Sequence, residues 1–170
     1  MDTIQAIMTR RSIRAFKNEP VTDAQIQTLL EAAMNAPSAG DGRPWQFAVT
    51  TNAEKLDALA EQVDEGKPMI RTAGAAILIC LDPAREGFKG YGEQDCSCAA
   101  QNLQLAAHAL GLGTVWLAII RIPPRIAGCR AVFGIPEELI PFALFPIGVP
   151  AEPLPAEYRF DETRIHREEW

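Results

Sequence analysis

The 170-residue chain has little of what most well-known chemistries are built from. It holds only two histidines, His108 and His166, and neither has a partner pattern for a nucleophile or a metal site. Its four cysteines, Cys80, Cys96, Cys98 and Cys129, show no zinc-ligand spacing. They read as reduced, mostly buried thiols of a cytoplasmic protein, with a redox pair at Cys96 and Cys98 as the alternative. No Gly-x-Ser-x-Gly element is present, and no Gly-x-Gly-x-x-Gly follows a strand. No apolar run approaches the ~18 residues of a membrane span. Met1-Asp2-Thr3 opens no basic-then-apolar leader, so no secretory signal is expected. With a net charge of -6 and a pI near 5.0 there is no broad basic face for nucleic acid. No catalytic side chain and no metal site are legible.

What is present fits one domain, residues 1–170, with 48% hydrophobic residues to fill a core. Asp2 followed by Gln5 signals a first helix with Ile4, Ile7 and Met8 on one face. Thr22 followed by Gln25 signals a second, with apolar positions Ile26, Leu29, Leu30, Ala33 and Met34, stopped by Pro37. Strands are predicted over Trp45–Thr50, Ala75–Leu81, Thr114–Ile120 and Ala143–Gly148, the second of them apolar on both faces. A helix is predicted over Ala53–Gln62. Another, small-residue-rich, is predicted over Cys96–Leu110 with Asp95 as its cap, and a short one begins at Pro123-Pro124. The glycine-rich stretch Asp82–Gln94 reads as a loop with room to move. Helices and strands mix without strict βαβ alternation, which predicts an α+β fold. The tail from Val149 to Trp170 is charged and proline-rich, without a period. Either it is a disordered end or it crosses to another subunit.

Against this acidic background stands Arg10-Arg11-Ser12-Ile13-Arg14. Three guanidinium forks and a hydroxyl in five residues suit one phosphate monoester, since each arginine can give two parallel charge-assisted bonds. The alternative is a solvated turn between two helices.

Four segments in order extend the pattern: Arg10 through Phe16; Ala36-Pro37-Ser38-Ala39-Gly40 leading to Arg43-Pro44-Trp45-Gln46-Phe47; Ala100-Gln101-Asn102-Leu103 through Gly111-Leu112-Gly113-Thr114-Val115-Trp116; and Pro146-Ile147-Gly148-Val149-Pro150. Together they resemble the nitroreductase family of FMN-dependent oxidoreductases. The resemblance implies a central mixed β-sheet flanked by helices, a homodimer, and a C-terminal extension (residues 150–170) crossing to the partner subunit. It implies FMN as cofactor, with Arg10, Ser12 and Arg14 on its phosphate and ribityl chain and Arg11 beside the flavin. Arg159 matches the family's C-terminal phosphate arginine, although Glu157 stands where a lysine is frequent. Pro37, Ser38, Ala39 and Gly40 would cover the partner's flavin. Backbone groups at Leu117, Ala118 and Ile119 would face its N5 edge, and Lys67 falls near the position of a donor to the pyrimidine edge, or is an exposed loop lysine. Trp45 reads as core. The implied activity is hydride transfer from NAD(P)H through the flavin to a nitroaromatic, a quinone or a similar small aromatic acceptor, by a ping-pong mechanism. The alternatives are a related flavin chemistry such as reductive dehalogenation or flavin cleavage, an FMN-binding or sensing dimer without steady turnover, and a flavin-free structural dimer.

Overall fold

A computed structural model describes residues 1–63, 68–152 and 155–170. One five-stranded sheet lies between two helical layers. Every residue of β2 (Ala75–Leu81) is buried, as its unbroken apolar run demands. Strand alternation then divides the run: Ala75, Ile77, Ile79 and Leu81 enter one core, and Ala76, Leu78 and Cys80 the other. The first core lies beneath α2 (Asp23–Met34) and α5 (Gly92–Ala109). The second lies beneath α3 (Ala53–Val63), the four-residue α4 (Pro68–Arg71) and α6 (Pro123–Phe133). β1 (Trp45–Thr50) pairs with β2, and β2 with β5 (Ile140–Gly148). The other edge of β5 takes β3 (Gly113–Thr114) and then β4 (Leu117–Ala118).

The α+β architecture is as expected, but the pairing is not mixed. Strand direction alternates across the sheet, so every pair among the described residues is antiparallel. The strand predicted over Thr114–Ile120 is broken at Val115-Trp116. There the Trp116 ring packs edge-to-face on Phe142 and Phe145, at centroid distances of 5.5 and 5.3 Å. Trp45 is core, as read.

The helix signals hold with two corrections. Thr22 and Gln25 form a reciprocal capping box, with Gln25 N–H donating to Thr22 Oγ1 at 3.2 Å and Thr22 N–H to Gln25 Oε1 at 2.9 Å. In α1 (Thr3–Thr9) the Asp2 carboxylate accepts the Gln5 N–H at 2.9 Å. Its apolar face does not enter the core, however: Ile4, Ile7 and Met8 are 69%, 50% and 62% exposed. The second correction concerns α5, which begins three residues before the predicted cap. Asp95 sits inside its first turn, and the Glu86 carboxylate accepts the Gly92 N–H instead, at 2.8 Å. The stretch read as a loop from Asp82 is shorter and partly ordered, with a 3-10 turn at Pro83–Arg85.

Candidate functional site

Beyond α1 the chain runs extended along the end of the sheet. Ile13 N–H donates to the Thr114 carbonyl at 3.0 Å, Lys17 N–H to Val149 at 3.0 Å, and Ala151 N–H to Ala15 at 2.9 Å. Phe16 and Pro150 form an antiparallel bridge. The approach is close enough that a Cβ on Gly113 would lie 2.7 Å from Ile13, so a glycine is required there. These bonds hold the arginine segment rigidly at the mouth of two cavities. Arg10 and Arg11 line one of about 670 Å³, together with Ile7, Met8, Gln101, Tyr158, Arg159 and Phe160. Ser12 and Arg14 line another of about 240 Å³, with Ile13, Ala15 and Glu152. The predicted anion site is therefore divided: Arg10, Arg11 and Arg159 come together, while Ser12 and Arg14 open next door.

Positive charge in the larger cavity is incompletely matched. Arg10 Nη1 is buried with no hydrogen-bond partner. Burial, then the charges of Arg159 and Arg11, hold the Arg10 guanidinium below its ordinary pKa. Arg11 donates through Nη1 to the Pro155 carbonyl, and its Nη2 lies 3.6 Å from Glu157 Oε2. The same oxygen accepts from Arg159 Nε and Nη2 at 3.1 and 2.9 Å. The hydrogen bond from Arg159, followed by the charges of Arg159 and Arg11, keeps the Glu157 carboxyl below the usual carboxylate range.

His108, on α5, props this corner. Thr9 Oγ1 spends its one proton on the Gln5 carbonyl at 2.6 Å, so His108 Nε2, 2.8 Å away, must be the donor to Thr9 Oγ1. The ring therefore carries its proton on Nε2. Burial first, and the Arg10 charge second, lower its pKa.

The loop carrying Pro37, Ser38, Ala39 and Gly40 lies at the other end of α5. Ala39 N–H donates to the buried Asp95 carboxylate at 2.9 Å, and Arg43 N–H donates to Ser38 Oγ at 3.0 Å. Asp95 and His108 are thirteen residues apart, about 20 Å along the helix. None of the four loop residues lines either arginine cavity. A single chain thus separates the loop from the arginines. Leu117 and Ala118 pair with β5 through β4, and Ile119 follows them; Leu117 and Ile119 are buried and Ala118 is exposed. The Ile119 N–H is committed to the Phe142 carbonyl at 3.2 Å, and the Ala118 carbonyl accepts from Arg125 at 3.0 Å. Lys67 lies outside the described residues.

The three buried cysteines are poor nucleophiles. Cys80, Cys96 and Cys129 are buried, and burial pushes each thiol up to about 12. Cys98 faces solvent while Cys96 faces the core. No helix among the described residues is long and apolar enough to cross a membrane. What sequence reasoning missed were two supports, Glu86 at the start of α5 and the Thr9–His108 pair, because both depend on contacts distant in sequence or on a loop's path.

The structure is an α+β protein in which Arg10, Arg11 and Arg159 line one cavity together with Glu157. The sequence pattern of the nitroreductase family matches residues 7–71 and 63–149, and the chain belongs to that family. A protein of Methanothermobacter thermautotrophicus, provisionally named as an NADH dehydrogenase/NAD(P)H nitroreductase, is 45% identical over 170 residues, covering 100% of this chain and 88% of its own. An FMN-dependent nitroreductase of Clostridium difficile superposes with a TM-score of 0.89 at 28% identity, over 98% of this chain and 99% of its own. A provisionally named nitroreductase of Desulfovibrio desulfuricans, solved in complex with FMN, superposes with a TM-score of 0.83 at 31% identity, over 100% and 98%.

Proposed function

We propose that the protein is an FMN-dependent oxidoreductase, working as a homodimer, that takes hydride from NAD(P)H and passes reducing equivalents to a nitroaromatic, a quinone or a similar small aromatic acceptor. The observation that carries this reading is that Arg10, Arg11 and Arg159 line one cavity, with Arg10 Nη1 buried and unpartnered among the described residues. A phosphate monoester dianion offers the oxygen acceptors and the charge that this cluster lacks. At about 670 Å³ the cavity lies within the range of cofactor pockets. The FMN complex of the Desulfovibrio relative supports the choice of cofactor, and the names of the relatives support NAD(P)H as donor.

In this reading Arg10, Arg11 and Arg159 hold the phosphate, and Ser12 and Arg14, next along the same segment, bind ribityl hydroxyls. The planar ring would lie beside Ala118, exposed and small on β4, and the backbone of Leu117 and Ile119. Bound FMN supplies hydride acceptance and donation; the chain supplies binding, orientation and shielding. Pro37, Ser38, Ala39 and Gly40 serve the flavin of a second chain, since about 20 Å of α5 parts them from their own arginines. The exposed face of α1 and the wholly exposed segment from Pro155 to Trp170 support such a partner. Donor and acceptor use one open site in turn, which is the ping-pong order.

The test is a visible spectrum of the purified protein, taken before and after anaerobic NADH and then NADPH. Flavin bands that bleach and return with a nitroaromatic or a quinone are the expected result. Bands that never bleach would favour an FMN-binding or sensing dimer. Colourless protein that takes up no added FMN would overturn the reading.

A further inference from the structure

Glu157 places a carboxylate among the guanidiniums assigned to the flavin phosphate. A single oxygen, Oε2, accepts from Arg159 Nε at 3.1 Å and Nη2 at 2.9 Å, and lies 3.6 Å from Arg11 Nη2. It therefore occupies one donor edge of Arg159 and faces Arg11, while Arg10 Nη1 stays buried and unpartnered. Two cations of the cluster are provisionally matched and the third is not. The carboxylate is more than half exposed, and nothing else accepts from or donates to it among the described residues.

We propose that Glu157 is a resident counter-anion of the phosphate site, which an incoming phosphate monoester must displace, and that it lowers affinity for the phosphorylated flavin relative to the unphosphorylated one. This rests on the reading of Arg10, Arg11 and Arg159 as phosphate ligands. A phosphate has three terminal oxygens and two negative charges against one chelating oxygen and one charge, so it wins the exchange yet gives up part of its binding to make it. In the absence of phosphate the carboxylate partly neutralises Arg11 and Arg159.

The experiment titrates flavin-free, full-length wild-type protein and Glu157→Gln with FMN, riboflavin and inorganic phosphate, following flavin fluorescence and, for phosphate, its competition with FMN. Glu157→Gln is isosteric and uncharged, and Glu157→Ala serves as the second variant. Both are expected to bind FMN about three- to tenfold more tightly, as removal of one partly exposed charge allows. Phosphate should compete better by a similar factor, and riboflavin affinity should not change. Weaker FMN binding by both variants would show that Glu157 organises the arginines rather than competes for them. Unchanged FMN and phosphate binding would show that the ion pair is incidental. Either result overturns the proposal and leaves the cofactor reading standing. Wild-type protein that takes up neither flavin would instead sink the cofactor reading itself.

Discussion

At the scale of the residue, the cluster around Arg10 sets stability against binding. A buried guanidinium nitrogen without a partner, pressed by two further cations, costs the flavin-free protein stability. Arg10→Met keeps the stem and removes the charge. It should raise the melting temperature of the flavin-free protein while weakening FMN at least tenfold, because one charge-assisted fork is lost. Melting curves with and without FMN check both halves. His108 gives a pH prediction from the same corner. Its folded pKa is depressed by burial and then by Arg10, so the unfolded chain takes up the proton more readily than the folded one. The stability that neutral His108 contributes is present above its unfolded pKa of about 6.5, falls as the pH drops through that value toward the folded pKa, and then levels off. Thermal melts between pH 7.5 and 5 should show a loss on acidification that is smaller in His108→Gln. FMN should reduce it too, since an anion on Arg10 relieves the repulsion. At this scale the sequence was readable for charge but not for grouping. Arg10, Arg11, Ser12 and Arg14 announce an anion site by their types. Which of them share a cavity depends on the bonds from Ile13 and Lys17 to Thr114 and Val149, which no local pattern records.

At the scale of the element, local signals fared well where they were closed locally and failed where a distant group competed. Thr22 and Gln25 satisfy each other, and α2 begins where they say. Asp95 looks like a cap because an acidic residue precedes a helical period, yet its carboxylate is used on Ala39, 56 positions away in sequence. Glu86 takes the helix end in its place. The break between β3 and β4 is likewise invisible in an apolar run, since it is where the Trp116 ring turns onto Phe142 and Phe145. One prediction follows for the loop that Asp95 holds. Asp95→Ala should cost about 1–3 kcal/mol by orphaning a backbone donor, whereas Asp95→Asn, which still offers an acceptor, should cost less. Limited proteolysis should cut Asp95→Ala first near Pro37–Gly42. A second constraint on that loop is steric: a Cβ on Gly87 would lie 2.2 Å from the Ala39 carbonyl. Gly87→Ala should therefore displace the loop with Asp95 intact. If the loop of one chain covers the flavin of the other, both variants should release FMN faster than wild type, as a flavin dissociation rate would show.

At the scale of the whole molecule, the two cores on either face of the sheet account for the buried apolar residues but leave a surplus outside. Ile4, Ile7 and Met8 form an exposed stripe on α1, and Tyr158, Phe160 and Trp170 stand exposed along the tail. Helical periodicity placed Ile4, Ile7 and Met8 on one face of α1 without saying what covers it. The fold answers only that it is not this chain's own core. An apolar side chain moved from water into a packed interface is worth about 1.5–3 kcal/mol. The stripe alone could thus contribute several kcal/mol to association with a second copy, before losses of rigid-body and side-chain freedom. Sedimentation equilibrium should accordingly give twice the 18.6 kDa chain mass. Replacing Ile4, which is exposed and lines neither arginine cavity, by aspartate leaves the buried Ala6 and the arginines unaltered and should shift the protein toward monomer. The decisive comparison is flavin retention in that variant. If both cavities and their cover belonged to one chain, monomers would keep FMN as well as wild type does. If the loop over the flavin is the partner's, FMN affinity should fall with dilution as dimers dissociate, and a concentration series read by flavin fluorescence separates the two.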